Sequence, residues 1–176
     1  MQDGTVFWLT GLAGSGKTSI AMQFVSYLQS TTNLKIVYLD GDKLRAIFGE
    51  TTDYSRENRH ALAFCYAKLC HMLSLQGITV VCAVMALFND VQDWNRQNIN
   101  NYIEIFIRVP MTILSKRDKK KLYSRALSGK ISNVVGFDIV AEFPRSADCI
   151  IDNYGDMTME EAIRRIKLVS EKNLVN

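Results

Sequence analysis

The chain has only two prolines, no internal repeat and no low-complexity stretch, so nothing in it marks a linker between domains. Residues 1–176 are therefore expected to form one domain, and an apolar content of 48% suffices for its core. Charge of one sign is also scarce. The 21 basic residues exceed the 18 acidic ones by three, too few for a surface devoted to a nucleic-acid polymer. Long apolar runs are missing: Ile78 to Ala86 is among the longest, far below the roughly 20 residues that cross a bilayer. No basic–apolar–small-residue leader precedes the first strand, so a soluble, cytoplasmic protein with no membrane partner is expected. Cys65, Cys70, Cys82 and Cys149 form no C-x-x-C pair and fall in apolar periodic segments, the pattern of reduced core thiols. His60 and His71 lack a metal-spaced partner and read as ordinary helix residues.

What the chain does have is alternation. Short β-branched runs at Thr5–Leu9, Lys35–Leu39, Ile78–Ala83, Tyr102–Val109 and Cys149–Ile151 read as strands. Amphipathic stretches between them predict helices over about Lys17–Gln29, Arg56–Leu75, the Asp90–Asn98 region and Met159–Ser170. This order implies an α/β fold, a parallel β-sheet flanked by helices on both faces. Thr158 with Glu161 three residues on predicts a capping box for the last helix. Residues 116–144 are basic, then glycine-punctuated, with little periodicity, which suggests a mobile lid rather than a packed element.

The strongest motif is Gly11-Leu12-Ala13-Gly14-Ser15-Gly16-Lys17-Thr18, which fits G-x-x-x-x-G-K-[ST] between a strand and a helix. Glycines there let successive amides point at phosphates, and the following helix adds its positive end. A P-loop NTPase-type sheet binding ATP and Mg²⁺ is expected, with Lys17 on the β- and γ-phosphates and Thr18 on the metal. Asp40-Gly41-Asp42 follows the second strand, on the same sheet edge. Asp42 is assigned as the base for an attacking hydroxyl and Asp40 as the metal-side partner. The same carboxylates would also suit a solvated turn with an Asp cap for a helix starting near Lys43. Arg45 lies three residues after Asp42, and Arg56 and Arg59 repeat that spacing, so each can hold an anionic acceptor. The run Lys116-Arg117-Asp118-Lys119-Lys120-Lys121 has no interleaved aromatics and reads as a phosphate-facing lid, not a nucleic-acid patch.

Taken together, Trp8 to Thr18, Asp40-Gly41-Asp42 with Arg45, Arg117-Asp118, Lys120 with Leu122-Tyr123, Gly129, and Gly136 with Asp138 resemble the adenylylsulfate kinase family over nearly the whole chain. The resemblance implies a P-loop α/β kinase, a homodimer, that phosphorylates the ribose 3′-hydroxyl of a small nucleotide-like acceptor. It implies that Asp42 takes the hydroxyl proton, that Arg45 and Arg56 bind the acceptor's anionic bridge, and that Arg117 and Lys120 belong to the lid over ATP. Tyr54 stands where the family has a Phe that stacks on the base, and Arg59, Lys120 and Val134 complete the expected acceptor side.

Departures from the family pattern cluster on that side. Aligned on Lys68-Leu69, Arg59 takes the Asn of the family's E-N-I-R-R, and Ala61-Leu62 take its two Arg positions. Met85-Ala86-Leu87-Phe88-Asn89 replaces I-S-P-Y-R, and Val134 replaces the second stacking Phe. These changes point to a divergent branch similar to kinases of capsular polysaccharide modification that act on cytidine diphosphoramidate. The alternatives are a true adenylylsulfate kinase, a shikimate- or gluconate-type kinase, and a nucleotide-hydrolysing switch. For the last, Ser115-Lys116-Arg117-Asp118 resembles N-K-x-D.

Overall fold

The computed structural model describes residues 2–48, 53–118 and 121–174. Its chain order is β1 (Val6–Thr10), α1 (Lys17–Thr31), β2 (Ile36–Asp40), α2 (Gly41–Ile47), α3 (Arg56–Ser74), β3 (Thr79–Ala83) and α4 (Asn89–Asn98). There follow β4 (Tyr102–Arg108), α5 (Met111–Arg117), α6 (Leu122–Leu127), β5 (Cys149–Asp152) and α7 (Met159–Leu174). The strands pair in parallel in the order β2-β3-β1-β4-β5. Chain direction across the sheet therefore reverses at β1, whose neighbours are β3 and β4. In open α/β sheets the crevice at the carboxyl ends of such strands is where ligands bind.

Alternation along β1 decides which helices cover which face. Phe7 and Leu9 pack with Ile20 and Phe24 of α1 and with Ile163 and Ile166 of α7. Val6 and Trp8 point the other way, against Leu62, Ala63 and Tyr66 of α3 and Val91 of α4. Phe7 and Phe24 meet edge to face at 4.8 Å. All five β1 residues are buried, as strands covered on both faces must be. Truncating an aromatic here to Ala should remove about 3–5 kcal/mol.

The five strands and four long helices lie where periodicity puts them, with ends shifted by a few residues. The capping box on α7 forms only in half. Thr158 Oγ1 accepts from the Glu161 amide at 3.1 Å, but the Glu161 carboxylate pairs with Arg164 and Arg165 at 2.7 and 2.8 Å. Two short helices, α5 and α6, escape the sequence reading, because six or seven residues are too few to display a period, whereas α2 is the Asp-capped helix expected near Lys43. Helix α6 and the last two residues of α5, Lys116 and Arg117, fall in the region of the expected lid. That segment is more packed than its composition suggests: Tyr123, Ala126, Val134, Val135 and Ile139 are buried with Leu12, Phe106 and Leu114. Its turns are fixed by side chains, since Asp118 accepts from the amides of Tyr123 and Ser124, each at 3.0 Å.

All four cysteines are free, but Cys65 is exposed, contrary to the expectation of four core thiols. It sits on the outer side of the amphipathic α3. His60 is more than a plain helix residue. Its Nε2 lies 2.6 Å from Asp90 Oδ2, and its ring stands edge-on to Phe64 and Phe88, joining α3 to α4. Among the described residues, no helix is long and apolar enough to cross a membrane.

Candidate active site

The loop between β1 and α1 has the shape its glycines predict. Gly16 has φ of 99°, in the left-handed region, and a Cβ there would lie 2.3 Å from Asn153 Nδ2. At Gly11 a Cβ would lie 2.4 Å from the Ile107 carbonyl oxygen, so a side chain would force β1 and β4 apart. Leu12 and Ser15 are buried, Ala13 is partly covered and Gly14 is exposed at the tip. Lys17 Nζ folds back over the loop and donates to the Gly11 and Leu12 carbonyls at 2.9 and 2.8 Å. Ser15 Oγ is buried with no hydrogen-bond partner among the described residues.

Two residues from distant segments hold this loop. Asn153, just beyond β5, donates to the Ser15 carbonyl at 2.7 Å, and Tyr123 of α6 donates its hydroxyl to the Ala13 carbonyl at 2.9 Å. Burial and then the neighbouring Asp118 carboxylate push the Tyr123 hydroxyl up to about 12, so it stays a donor. Arg117 Nη2 donates to the Asn153 carbonyl at 2.8 Å, which draws the end of α5 to the same loop. Asn153 carries a readable signal, its position at the carboxyl end of a strand. Lys120 lies outside the described residues.

Asp40 ends β2 and caps α2, accepting from the Asp42 amide at 3.0 Å. It also accepts from Thr18 Oγ1 at 3.1 Å and from the Tyr38 hydroxyl at 2.9 Å. Burial raises its pKa, but the bonds from Tyr38, the Asp42 amide, Thr18 and the Lys43 amide outweigh that and hold it below the ordinary 3.8. Asp40 is thus an ionised carboxylate already engaged by several donors, whereas Asp42 is exposed in the first turn of α2. Asp40 is the helix cap, and the helix it caps begins at Gly41 rather than near Lys43. Thr18 and Asp40 bring a hydroxyl and a carboxylate together, an all-oxygen pair suited to Mg²⁺, which commonly keeps most of its shell from water and phosphate. Among the described residues, no group of three or more His, Cys, Asp or Glu side chains is placed to hold a metal ion.

The expected acceptor residues gather next to α2. The guanidinium of Arg45 lies 4.9 Å from the Tyr54 ring centroid and that of Arg59 5.2 Å from it. Arg59 is fixed by donating to the Tyr54 carbonyl and, through Nη2, to the Asn133 carbonyl, both at 2.9 Å. Burial and then the nearby Arg45 charge depress its pKa. Arg45 Nη1 is buried and has no hydrogen-bond partner among the described residues, a donor for which desolvation is uncompensated. Asn89 begins α4, and its Oδ1 is likewise buried with no partner. Arg56 sits 5.4 Å from the Phe88 ring and pairs with Glu142 at 2.5 Å.

Val134 is expected on the acceptor side as the replacement for a stacking Phe. It is 2% exposed and packed in the third core cluster, so its side chain is structural. The acceptor side instead receives the carbonyl of its neighbour Asn133 through Arg59. A cavity of about 750 Å³ lies apart from these groups, lined by Leu12, Met111, Phe137, Val140, Phe143 and Tyr154 among others. Lys17, Asp40, Asp42 and Arg45 do not line it.

A phosphate-binding loop with its Lys and Thr, a carboxylate pair at the next strand end and a guanidinium cluster beyond it define a P-loop kinase. The chain belongs to the adenylylsulphate kinase family, whose model matches residues 3–152. It is a phosphotransferase that uses ATP and an alcohol acceptor, similar to nucleotide kinases. It is 41% identical over 161 residues to the cytidine diphosphoramidate kinase of Campylobacter jejuni, covering 92% of this chain and 93% of that one. It is 30% identical over 166 residues to the adenylyl-sulfate kinase of Rippkaea orientalis, covering 94% and 90%. The APS kinase of Mycobacterium tuberculosis, solved in complex with AMPPNP and APS, has the same fold: TM-score 0.87 at 24% identity, covering 97% and 99%.

Proposed function

We propose that this kinase transfers the γ-phosphate of MgATP to the ribose 3′-hydroxyl of cytidine diphosphoramidate. The observation that carries the acceptor choice is the pair of buried, unpartnered polar atoms, Arg45 Nη1 and Asn89 Oδ1. One is a donor and the other an acceptor. A phosphoramidate end has oxygens for the first and N–H groups for the second, whereas the sulfate of adenylylsulfate has oxygens only. The base side agrees. Tyr54 serves as a stacking ring, position 134 carries a Val with no ring to offer, and a single stack suits a pyrimidine. The 41% identity to a cytidine diphosphoramidate kinase supports the same choice.

In this reading Asp42 takes the proton of the 3′-hydroxyl as its oxygen bonds to the γ-phosphorus, and the bond from that phosphorus to the leaving ADP oxygen breaks. Asp40 is less suited to that task because its carboxylate is occupied by Thr18, Tyr38 and the Asp42 amide. Lys17 stabilises charge on the transferring group, and the loop amides cradle the phosphates. Thr18 and Asp40 would hold Mg²⁺, which would supply charge neutralisation on the phosphates. Arg45, Tyr54, Arg56 and Arg59 hold the acceptor, and Arg117 serves the ATP side. The protein acts as a cytoplasmic homodimer in capsular polysaccharide modification.

Adenylylsulfate is the second reading, favoured by the family and by relatives such as the Rippkaea enzyme. Phosphorus NMR of a reaction with MgATP and cytidine diphosphoramidate tests the proposal. A new 3′-phosphomonoester resonance equal in amount to ADP is expected. ADP with inorganic phosphate and an unchanged acceptor would instead favour a hydrolysing switch.

A further inference from the structure

Glu142 has no role in the chemistry so far, yet it ties three functional segments together. Its carboxylate divides its two oxygens: Oε1 takes Arg56 Nη2, and Oε2 accepts from the Asn89 amide at 2.9 Å. Its backbone is clamped to the same loop, the amide donating to the Leu87 carbonyl at 3.1 Å and the carbonyl accepting from Gln92 Nε2 at 3.4 Å. Helix α4 has no side-chain cap of its own, since Phe88 holds the N-cap position. Glu142 supplies that cap from the 129–148 connection, and a carboxylate at a helix N-terminus is favourable.

From these contacts we infer that Glu142 is a positioning residue for acceptor binding, aiming the Arg56 guanidinium from the far side of the site. Arg56 is about half exposed, with its side chain at 48%, and a long exposed Arg samples many rotamers unless something holds it. Here two things do: the Glu142 carboxylate at one nitrogen and the Phe88 ring at 5.4 Å. Fixing one Nη group leaves the rest of the fork to meet an anionic group. Because Glu142 also caps α4 and anchors the connection after α6, the placement of Arg56 depends on that connection being seated. The inference rests on the assignment of Arg56 to the acceptor, and on whichever nucleotide the wild type phosphorylates.

The test is a double-mutant cycle of Glu142→Gln and Arg56→Ala, with steady-state kinetics in ATP and in cytidine diphosphoramidate or adenylylsulfate, whichever the wild type turns over. Glu142→Gln keeps an oxygen for the Asn89 amide but turns a donor towards Arg56. It should raise the acceptor KM roughly tenfold, leave the ATP KM and kcat near wild type, and have no further effect once Arg56 is Ala. A Glu142→Gln change confined to thermal stability, or an acceptor KM effect that persists in full without Arg56, would overturn the positioning role. If Arg56→Ala itself leaves the acceptor KM unchanged, the assignment of Arg56 fails and the inference goes with it.

Discussion

The ATP side and the acceptor side of this crevice are built by different means. On the ATP side one short loop supplies nearly everything. Its conformation is set by glycines and locked by Asn153, Tyr123 and Arg117, which leave Ser15 Oγ as its only unpartnered side-chain atom among the described residues. On the proposed acceptor side the groups come from α2, from residues 54–59, from the start of α4 and from residues 133–142, and both a donor and an acceptor are left buried without partners among the described residues. Backbone geometry tolerates little change, because any Cβ at Gly11 or Gly16 would meet atoms already in place. Side chains gathered from four segments can be exchanged one at a time. The difference explains how a family keeps one phosphoryl donor while its acceptor changes.

Lys17→Ala should strike the shared side hardest. Transfer to any acceptor should fall by about 10³ or more, because the Lys acts on charge in the transition state. Circular dichroism and melting should stay near wild type, since the ammonium donates to loop carbonyls rather than packing in the core. Activity near wild type would remove the comparison at its root.

Asp42→Asn separates chemistry from binding. Turnover should drop by roughly 10² to 10⁴ with the ATP KM little changed, because the amide keeps the shape but cannot take a proton. If Asp40→Asn reduces turnover more while metal affinity is unaffected, the two carboxylates exchange roles.

The smallest effect concerns stability and pH. Asp40 has its folded-state pKa held below the ordinary 3.8, so the folded chain favours its ionised form. That contribution is complete above the unfolded value and is lost as pH falls through the lower folded value. Wild type should therefore be more stable than Asp40→Asn near neutral pH, and the gap should close below 3.8. Urea melts from pH 7 downward check this, and a gap that widens in acid would contradict it.

Legibility in the sequence follows the same division. The P-loop, the strands and the Asp40-Gly41-Asp42 turn could be read because local spacing determines them. Arg45, Tyr54 and Arg59 could be nominated singly, but that two guanidiniums flank one ring is a tertiary fact. Val134 shows the limit most plainly. A residue aligned with a stacking position is buried in the core, because the connection after α6 packs on Leu12 and Tyr123 rather than standing open. Glu142 gave no local signal at all, since its partners Arg56 and Asn89 lie 86 and 53 residues away.

In the proposed function the acceptor side has diverged while the ATP side has not. That difference is tested most directly by kcat/KM for cytidine diphosphoramidate and for adenylylsulfate under the same saturating MgATP. Sulfate cannot donate to Asn89 Oδ1, and adenine would lack a second stacking face, so adenylylsulfate should be poorer by about a hundredfold or more. A value for adenylylsulfate equal to or above that for cytidine diphosphoramidate would contradict the account.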